Sequence, residues 1–177
     1  MSTHDQQAGA PSQAVVHGPG EGRTISLGDA GVVTLKAERV ETGGTLSAYE
    51  FVMPPRTAGP PLHLHRGWDE LFYVLDGEMT FDIAGTTTMA PAGSCVFIPR
   101  GVLHTFWNEG AVPARQLTVF TPGGIEEYFD AVTDVMGAGG EDALEAAARL
   151  MEHHDMIVPP NSRPAYGKFM PADPLED

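Results

Sequence analysis

The sequence predicts an all-β domain, a small β-barrel, with a short helical extension at its C-terminal end. Across residues 24–122, short apolar runs are separated by turn formers such as Asp76-Gly77 and Asn108-Glu109-Gly110, which is typical of sandwiches and barrels. After residue 122 the apolar residues recur every three or four positions, at Ile125, Phe129, Val132 and Met136. The two patterns together predict strands first and helices second.

Each predicted strand is a run of apolar and β-branched residues that ends at a turn. The first two cover residues 32–40 and 46–53, and a Pro-rich loop follows at residues 54–61. Seven shorter runs come next, over residues 62–65, 70–75, 78–83, 86–89, 95–98, 104–107 and 114–120. We expect two short helices within residues 123–155.

The two ends of the chain differ in composition from the rest. Residues 1–23 are rich in Gly, Pro, Ser and Gln, which predicts a flexible N-terminal arm. Residues 156–177 form a Pro-rich tail, which we expect to run over the surface as coil. The predicted organisation is therefore an arm at 1–23, a barrel at 24–122, helices at 123–155 and a tail at 156–177.

Composition restricts the class of partner. The 177 residues include 24 acidic and 10 basic side chains, a net charge of −14, which disfavours nucleic acid and anionic membrane surfaces. No apolar run reaches the roughly 20 residues of a membrane span, and the N-terminus lacks a signal-peptide pattern. We therefore expect a cytoplasmic protein that binds a small molecule. The single cysteine, Cys95, excludes an internal disulfide, and its apolar run predicts a buried thiol.

Three histidines and one glutamate form a candidate set of metal ligands. His63 and His65 are two residues apart, so on a strand they share one face. Glu70 begins the next predicted strand and His104 begins a later one, and a barrel allows such strand starts to converge. Imidazoles with one carboxylate suit one divalent ion of Fe, Ni, Co, Mn or Zn. Four protein ligands of six would leave two positions for substrate or dioxygen.

The same alternation predicts a substrate pocket. If Glu70 and His104 point inward, the residues two and four positions later also point inward. Apolar residues of an earlier strand add to this face. The predicted lining is Phe51, Met53, Phe72, Val74, Phe106 and Asn108. Such an interior suits a flat aromatic or polyketide-like substrate, although plain core packing would give the same pattern.

These residues resemble the two sequence motifs of the cupin superfamily. The matching positions are His63, His65, Glu70 and Gly77 for the first motif and Gly93, Pro99, Gly101, His104 and Asn108 for the second. Asp69 also fits one spacing of the first motif, and the six-residue step to Gly77 selects Glu70. Thr57 departs from the family, which usually has glycine at that position. The resemblance implies a jelly-roll-like cupin barrel in which the three histidines and Glu70 hold one metal ion.

The wider chain, over residues 26–155, resembles single-domain bacterial cupins of the quercetin 2,3-dioxygenase-like group. The likeness includes residues 59–65, 69–77, 97–101 and 121–129. It implies a metal-dependent dioxygenase acting on a phenolic, flavonol-like or enolic small molecule, with Glu70 as the catalytic proton acceptor. It also allows a non-oxidative metal-dependent isomerase or polyketide-type cyclase, or a cupin that binds a small molecule without catalysis. Cupins of this kind often form homodimers, so we expect one here.

Overall fold

The structure, a computed structural model, describes residues 14–138, 141–160 and 167–168. Most of the predicted arm and part of the predicted tail lie outside these residues. The strands in the described part are β1 Arg23–Ser26, β2 Val32–Ala37, β3 Ser47–Met53, β4 Thr57–Ala58, β5 Asp69–Asp76, β6 Glu78–Ile83, β7 Thr86–Pro91, β8 Cys95–Ile98, β9 His104–Asn108, β10 Ala114–Thr121 and β11 Gly167–Lys168. The helices are α1 Arg39–Thr42, α2 Glu126–Ala138 and α3 Glu141–His153.

The strands form two antiparallel sheets that pack face to face. One sheet has six strands in the order β1-β2-β3-β10-β5-β8, and the other has five in the order β11-β4-β9-β6-β7. Their inner faces meet in an aromatic core, where the ring centroid of Phe72 lies 5.1 Å from that of Phe81 and 5.3 Å from that of Phe106. The predicted all-β class with a helical extension is confirmed. The strands form a jelly-roll-like pair of sheets, as the cupin resemblance implied.

Alternation along the strands decides which side chains face this core. Buried residues alternate with less buried ones along β5 as far as Val74 and along all of β9, namely Glu70, Phe72, Val74, His104, Phe106 and Asn108. The pairing of β5 with its neighbours places Phe120 and Ile98 opposite Glu70. Burial of each apolar side chain of this size contributes roughly 1.5–3 kcal/mol to stability. The same pleat that builds the core therefore turns two candidate ligands inward.

Helices α2 and α3 pack on the core beside these ligands. Their buried side chains include Tyr128, Phe129, Val132 and Met151. Ser47 of β3 holds the start of α2, because its hydroxyl accepts the backbone N–H of Gly124 (2.8 Å) and donates to Oε2 of Glu126 (2.6 Å). No helix in the described ranges is long and apolar enough to cross a membrane.

Four local features differ from the expectations. Residues 62–65, predicted as a strand, lie in a loop in which His63 bridges to His104 and Leu64 bridges to Ile157. The strand predicted over residues 32–40 ends at Ala37, because Glu38 is the N-cap of α1 and its N–H donates to the Glu41 carboxylate (2.9 Å). The thiol of Cys95 is exposed, so the prediction of a buried thiol was wrong. It lies on β8, an edge strand whose outward face also carries Phe97, 59% exposed. Residues 167–168, expected to be coil, pair with β4.

Candidate metal centre

Three segments of the chain bring the four candidate ligands together. His63 and His65 lie in the loop before β5, Glu70 is the second residue of β5, and His104 is the first residue of β9. His63 and His104 also exchange two backbone hydrogen bonds, of 3.0 and 2.8 Å. The four ligand atoms all lie within 4.8 Å of one another, and no side chain of the group is more than 3% exposed. The group is therefore compact and closed to bulk solvent.

The Nε2 atoms of the three imidazoles converge with the carboxylate. Nε2 of His63 lies 3.2 Å from Nε2 of His65. Oε2 of Glu70 lies 2.9 Å from Nε2 of His104 and 3.5 Å from Nε2 of His65. Three ring nitrogens and one carboxylate oxygen aimed at one small volume are a donor set that transition metals prefer.

The other ring nitrogen of each histidine faces a backbone carbonyl. The acceptors are the carbonyls of Pro61 for His63 (2.8 Å), Val102 for His104 (2.9 Å) and Asp155 for His65 (3.1 Å). A carbonyl can only accept, so in each neutral ring Nδ1 carries the proton and Nε2 offers its lone pair. The tautomer that metal binding requires is therefore set by the backbone.

Burial and mutual contacts set the charges within the group. Burial, helped by the neighbouring His104 and His65, lowers the pKa of His63 to about 3, so this ring is neutral near pH 7. Burial alone would raise the pKa of Glu70, but its hydrogen bonds with His104 and His65, which form when Nε2 of the ring carries a proton, outweigh burial and lower that pKa. Burial would likewise lower the pKa of His104, but the Glu70 carboxylate outweighs it and raises that pKa. Glu70 is thus ionised at neutral pH among the histidines.

Asp69, the competing carboxylate of the first motif, lies outside the group. Its Oδ2 is 2.7 Å from Nη2 of Arg100, and its Oδ1 accepts the backbone N–H (2.9 Å) and the Nε–H (3.0 Å) of the same residue. These bonds lower the pKa of Asp69 to about 2. Consecutive strand residues face opposite sides of a sheet, which is why Glu70 points inward and Asp69 outward.

A small cavity adjoins the candidate ligands. Its volume is about 40 Å³, enough for a few water molecules. The wall is mainly aromatic and includes Tyr49, Phe51, Phe106, Phe120, Tyr128 and Phe129. Ile125 and Met156 complete the wall from the helical extension. The cavity therefore lies between the two sheets and the helices that cover them.

The predicted pocket residues fall into two groups. Phe51 and Phe106 line the cavity, whereas four others are buried without lining it, namely Met53, Phe72, Val74 and Asn108. The amide N–H groups of Asn108 instead bind the backbone carbonyls of Met53, Pro54 and Val112. Alternation identifies the inner face, but it does not give the depth of a side chain. Met53, Val74 and Asn108 lie further along their strands from the ligand end, and Phe72 is enclosed by other aromatic rings.

Two contributors to the site were missed from the sequence. Tyr49 lines the cavity, and burial followed by the charge of Glu70 raises the pKa of its hydroxyl well above the usual value, so the phenol is neutral. The alternation on β3 that identified Phe51 also contains Tyr49 and could have found it. Asp155 carried no such signal, because it contributes a backbone carbonyl.

Comparisons with known proteins agree with this fold. Residues 49–120 match the Cupin_2 family, described as a cupin domain. Germin-like protein 9-3 of Oryza sativa subsp. japonica is 28% identical over 132 residues, covering 70% of this chain and 61% of that relative. KdgF from Halomonas sp. superposes with a TM-score of 0.56 at 16% identity, over 65% of this chain and 99% of that one. An RmlC-like cupin from Shewanella frigidimarina gives 0.53 at 18% identity, over 66% and 96%.

Residues 49–120 therefore form a cupin domain, which confirms the predicted class. The matched residues include all four candidate ligands, whereas α2 and α3 lie beyond them. The two structural likenesses concern the fold alone, and the chain spans 61% of the length of the rice relative. The ligand set itself fits a divalent transition metal, because its three oriented imidazoles and its ionised carboxylate are buried together. The group could therefore hold one metal ion.

Proposed function

We propose that this cupin is a metal-dependent dioxygenase that acts on a phenolic or enolic small molecule, as the quercetinase-like resemblance implies. The observation that carries the proposal is the buried group of three histidines and Glu70 beside an aromatic cavity. When bound, a divalent ion would lower the pKa of a substrate hydroxyl and offer a position to dioxygen. The chain's own residues would bind, orient and deprotonate the substrate.

Charge balance favours an anionic form of the substrate. Three neutral imidazoles and one carboxylate would leave a divalent ion with one uncompensated positive charge. In a buried apolar cavity this charge interacts strongly with an anion, because the local dielectric is low. A phenolate or enolate supplies one negative charge and an apolar body. The site is thus suited to substrates with an acidic hydroxyl on a flat frame.

Glu70 and Tyr49 would have different roles toward this substrate, one as proton acceptor and the other as hydrogen-bond donor. Glu70 is ionised at neutral pH because its pKa is lowered, so it is in the form that can accept a proton, and we propose that it accepts the one that the substrate hydroxyl releases. Tyr49 is neutral because its pKa is raised, so its hydroxyl remains a hydrogen-bond donor. We propose that Tyr49 donates to the substrate anion within the cavity.

The size and lining of the cavity bear on the class of substrate. Aromatic walls favour a ring that can stack or meet them edge to face. The volume of about 40 Å³ is far below the roughly 300–1,000 Å³ of pockets that enclose drug-sized ligands. A flavonol-sized substrate would therefore require the helical extension to move, whereas a single-ring phenol or a small enol would require a smaller displacement.

Oxygen uptake with metal-loaded protein tests this proposal. The protein is loaded separately with Fe²⁺, Mn²⁺, Co²⁺, Ni²⁺ and Zn²⁺ and assayed with flavonols, single-ring phenols and enolic ketones. We expect uptake with at least one redox-capable ion and its loss in Glu70→Gln, while Asp69→Asn serves as the matched neighbouring carboxylate. If no metal-loaded form consumes dioxygen with any of these substrates, the proposal is wrong.

A non-oxidative isomerase or cyclase is the second candidate. The observation that favours it is the pairing of an ionised Glu70 with a neutral Tyr49 in one cavity, because a base and an acid suffice for enolisation. Product formation under strict anaerobiosis, by the wild-type protein and equally by Asp69→Asn, would support this candidate over the dioxygenase. Tight binding of a ligand without turnover under either condition would instead indicate a non-catalytic binding cupin.

A further inference from the structure

We propose that Asp155 is a positioning residue of the metal centre, and that residues 155–157, here called the C-terminal clamp, hold the ligand His65 in its binding orientation. The inference rests on metal binding by the centre and is independent of the reaction that follows. The clamp comes directly after α3 and lies beyond the residues that match the cupin family, which end at residue 120.

The clamp contacts the ligand loop on both sides of His65 and at His65 itself. Before it, Leu64 and Ile157 exchange two backbone hydrogen bonds, of 3.0 and 2.8 Å. At the ligand, Nδ1–H of His65 donates to the carbonyl of Asp155 (3.1 Å). After it, the backbone N–H of Gly67 donates to Oδ2 of Asp155 (2.6 Å). Four hydrogen bonds thus join two residues of the clamp, Asp155 and Ile157, to the four-residue stretch 64–67.

The end of α3 explains how the clamp reaches this place. The N–H of Asp155 donates to the carbonyl of Glu152 (3.2 Å) and the N–H of Met156 to that of Met151 (2.8 Å), which is the bonding pattern of a Schellman motif. Asp155 holds the left-handed position of this motif, with φ +58°. The turn reverses the chain so that the carbonyl of Asp155 and the bonds of Ile157 face the ligand loop.

The residue type at position 155 indicates a purpose beyond ending the helix. Glycine is the usual residue at this position of a helix end, because it adopts positive φ without strain. Aspartate tolerates the conformation less well, and here its carboxylate forms the bond to Gly67. The side chain therefore serves the ligand loop and the carbonyl serves His65. Met156, the next residue, lines the cavity, so the clamp also forms part of its wall.

Metal binding must then be coupled in both directions to closure of the clamp, that is, to formation of its hydrogen bonds with residues 64–67. A clamp that keeps His65 in the binding tautomer raises metal affinity, and by linkage the bound ion stabilises the closed clamp by the same factor. Outer hydrogen-bond partners of metal-bound histidines typically change metal affinity by roughly 10–100-fold. We expect an effect of this size from loosening the clamp.

Two substitutions of Asp155 separate a positioning role from helix capping. Asp155→Gly removes the carboxylate but suits positive φ, so the metal-free protein should keep or gain thermal stability while its Zn²⁺ affinity falls by about tenfold or more. Asp155→Asn retains an oxygen that can accept the N–H of Gly67 and should bind Zn²⁺ within about threefold of wild type, since outer partners set only part of the affinity. Asp134→Ala, at an exposed aspartate of α2, is the control.

Hydrogen exchange and the Co²⁺ spectrum give two further measurements. Backbone amides of Leu64, Gly67 and Ile157 should exchange hydrogen more slowly in the Zn²⁺-loaded protein than in the metal-free protein, and Asp155→Gly should reduce this difference. The visible spectrum of the Co²⁺-loaded protein should also change in Asp155→Gly and be restored in Asp155→Asn. Equal Zn²⁺ affinity in wild type and Asp155→Gly, or equal exchange with and without metal, would overturn the inference. Failure of wild type to bind Zn²⁺ or Co²⁺ would overturn the metal centre and the clamp together, whereas missing dioxygenase activity would not affect either.

Discussion

Oε2 of Glu70 lies 2.9 Å from Nε2 of His104, and this buried contact joins β5 of the six-stranded sheet to β9 of the five-stranded sheet. The two residues lie at the starts of their strands and are 34 positions apart in the chain. Their contact therefore depends on the face-to-face packing of the two sheets. It also places the carboxylate where an ion held by the three histidines would need it.

Substitution of the two adjacent acidic residues should distinguish the metal ligand, Glu70, from the surface carboxylate, Asp69. Glu70→Gln should weaken Zn²⁺ binding by more than the roughly 10–100-fold typical of an outer partner, because it removes the anionic ligand itself. Asp69→Asn should leave the affinity near that of wild type, since Asp69 faces Arg100 at the surface. Competition with a chromophoric chelator measures both constants. Equal losses in the two variants would contradict the assignment of Glu70.

Metal affinity should depend on pH through His104. Glu70 raises the pKa of His104 above its usual 6.5, so below this raised value a proton competes with the ion for the ring. Affinity should therefore rise about tenfold per pH unit up to that pKa and become level above it. His63, with its pKa lowered to about 3, adds no competition near neutrality. Calorimetry across buffers of different ionisation enthalpy would count the released proton, and a flat pH profile would contradict this prediction.

The Ser47 hydroxyl should be important for docking of the helical extension. Ser47→Ala removes two hydrogen bonds and leaves the Glu126 carboxylate without one of its partners, so we expect a loss of about 1–3 kcal/mol in the free energy of unfolding. The exposed Thr45→Ala, whose hydroxyl bonds only a local carbonyl, should change stability by less than about 0.5 kcal/mol. Urea unfolding followed by circular dichroism compares the two. Similar midpoints for both variants would argue against this anchoring role.

Gly59 should tolerate no side chain. Its N–H donates to the carbonyl of Phe106 (3.0 Å), and a Cβ on this residue would lie 2.4 Å from the same oxygen. Gly59→Ala should therefore push the loop away from β9 and cost about 1–3 kcal/mol, as overpacking does. Gly18→Ala is the matched control, because the added carbon would meet only the flexible end of the Glu21 side chain. Thermal unfolding measures the difference, and unchanged stability in Gly59→Ala would disprove the close approach.

Much of the fold and the candidate ligands could be predicted from local pattern. Period-two burial in β5 and β9 places Glu70 and His104 on the inner face whatever the rest of the chain does. The change to helical spacing after residue 122 similarly identifies α2 from a few apolar residues. These features depend on neighbours in sequence, which is why sequence reasoning reaches them.

The remaining features depend on contacts between distant segments. Cys95 was expected to be buried because its run is apolar, but β8 is an edge strand, and position in a sheet is not encoded in a run of four residues. Tyr49 and Met156 both line the cavity, although they are 107 positions apart in the sequence. The acceptor for His65 lies 90 positions away in sequence. Sheet order and tertiary docking decide all of these.

The ring acceptors of the three histidines are main-chain carbonyls, which every amino acid possesses. Point substitutions therefore leave the acceptor atoms chemically intact, although a change such as Asp155→Gly can loosen the segment that carries one of them, and changes in chain length displace them outright. For His63 and His104 the acceptor is two residues earlier, so ligand and acceptor move together. For His65 it follows a separate helix. An insertion or deletion of one residue within α3 would rotate its end by about 100° and so displace the acceptor of His65. His63 and His104 would keep their acceptors.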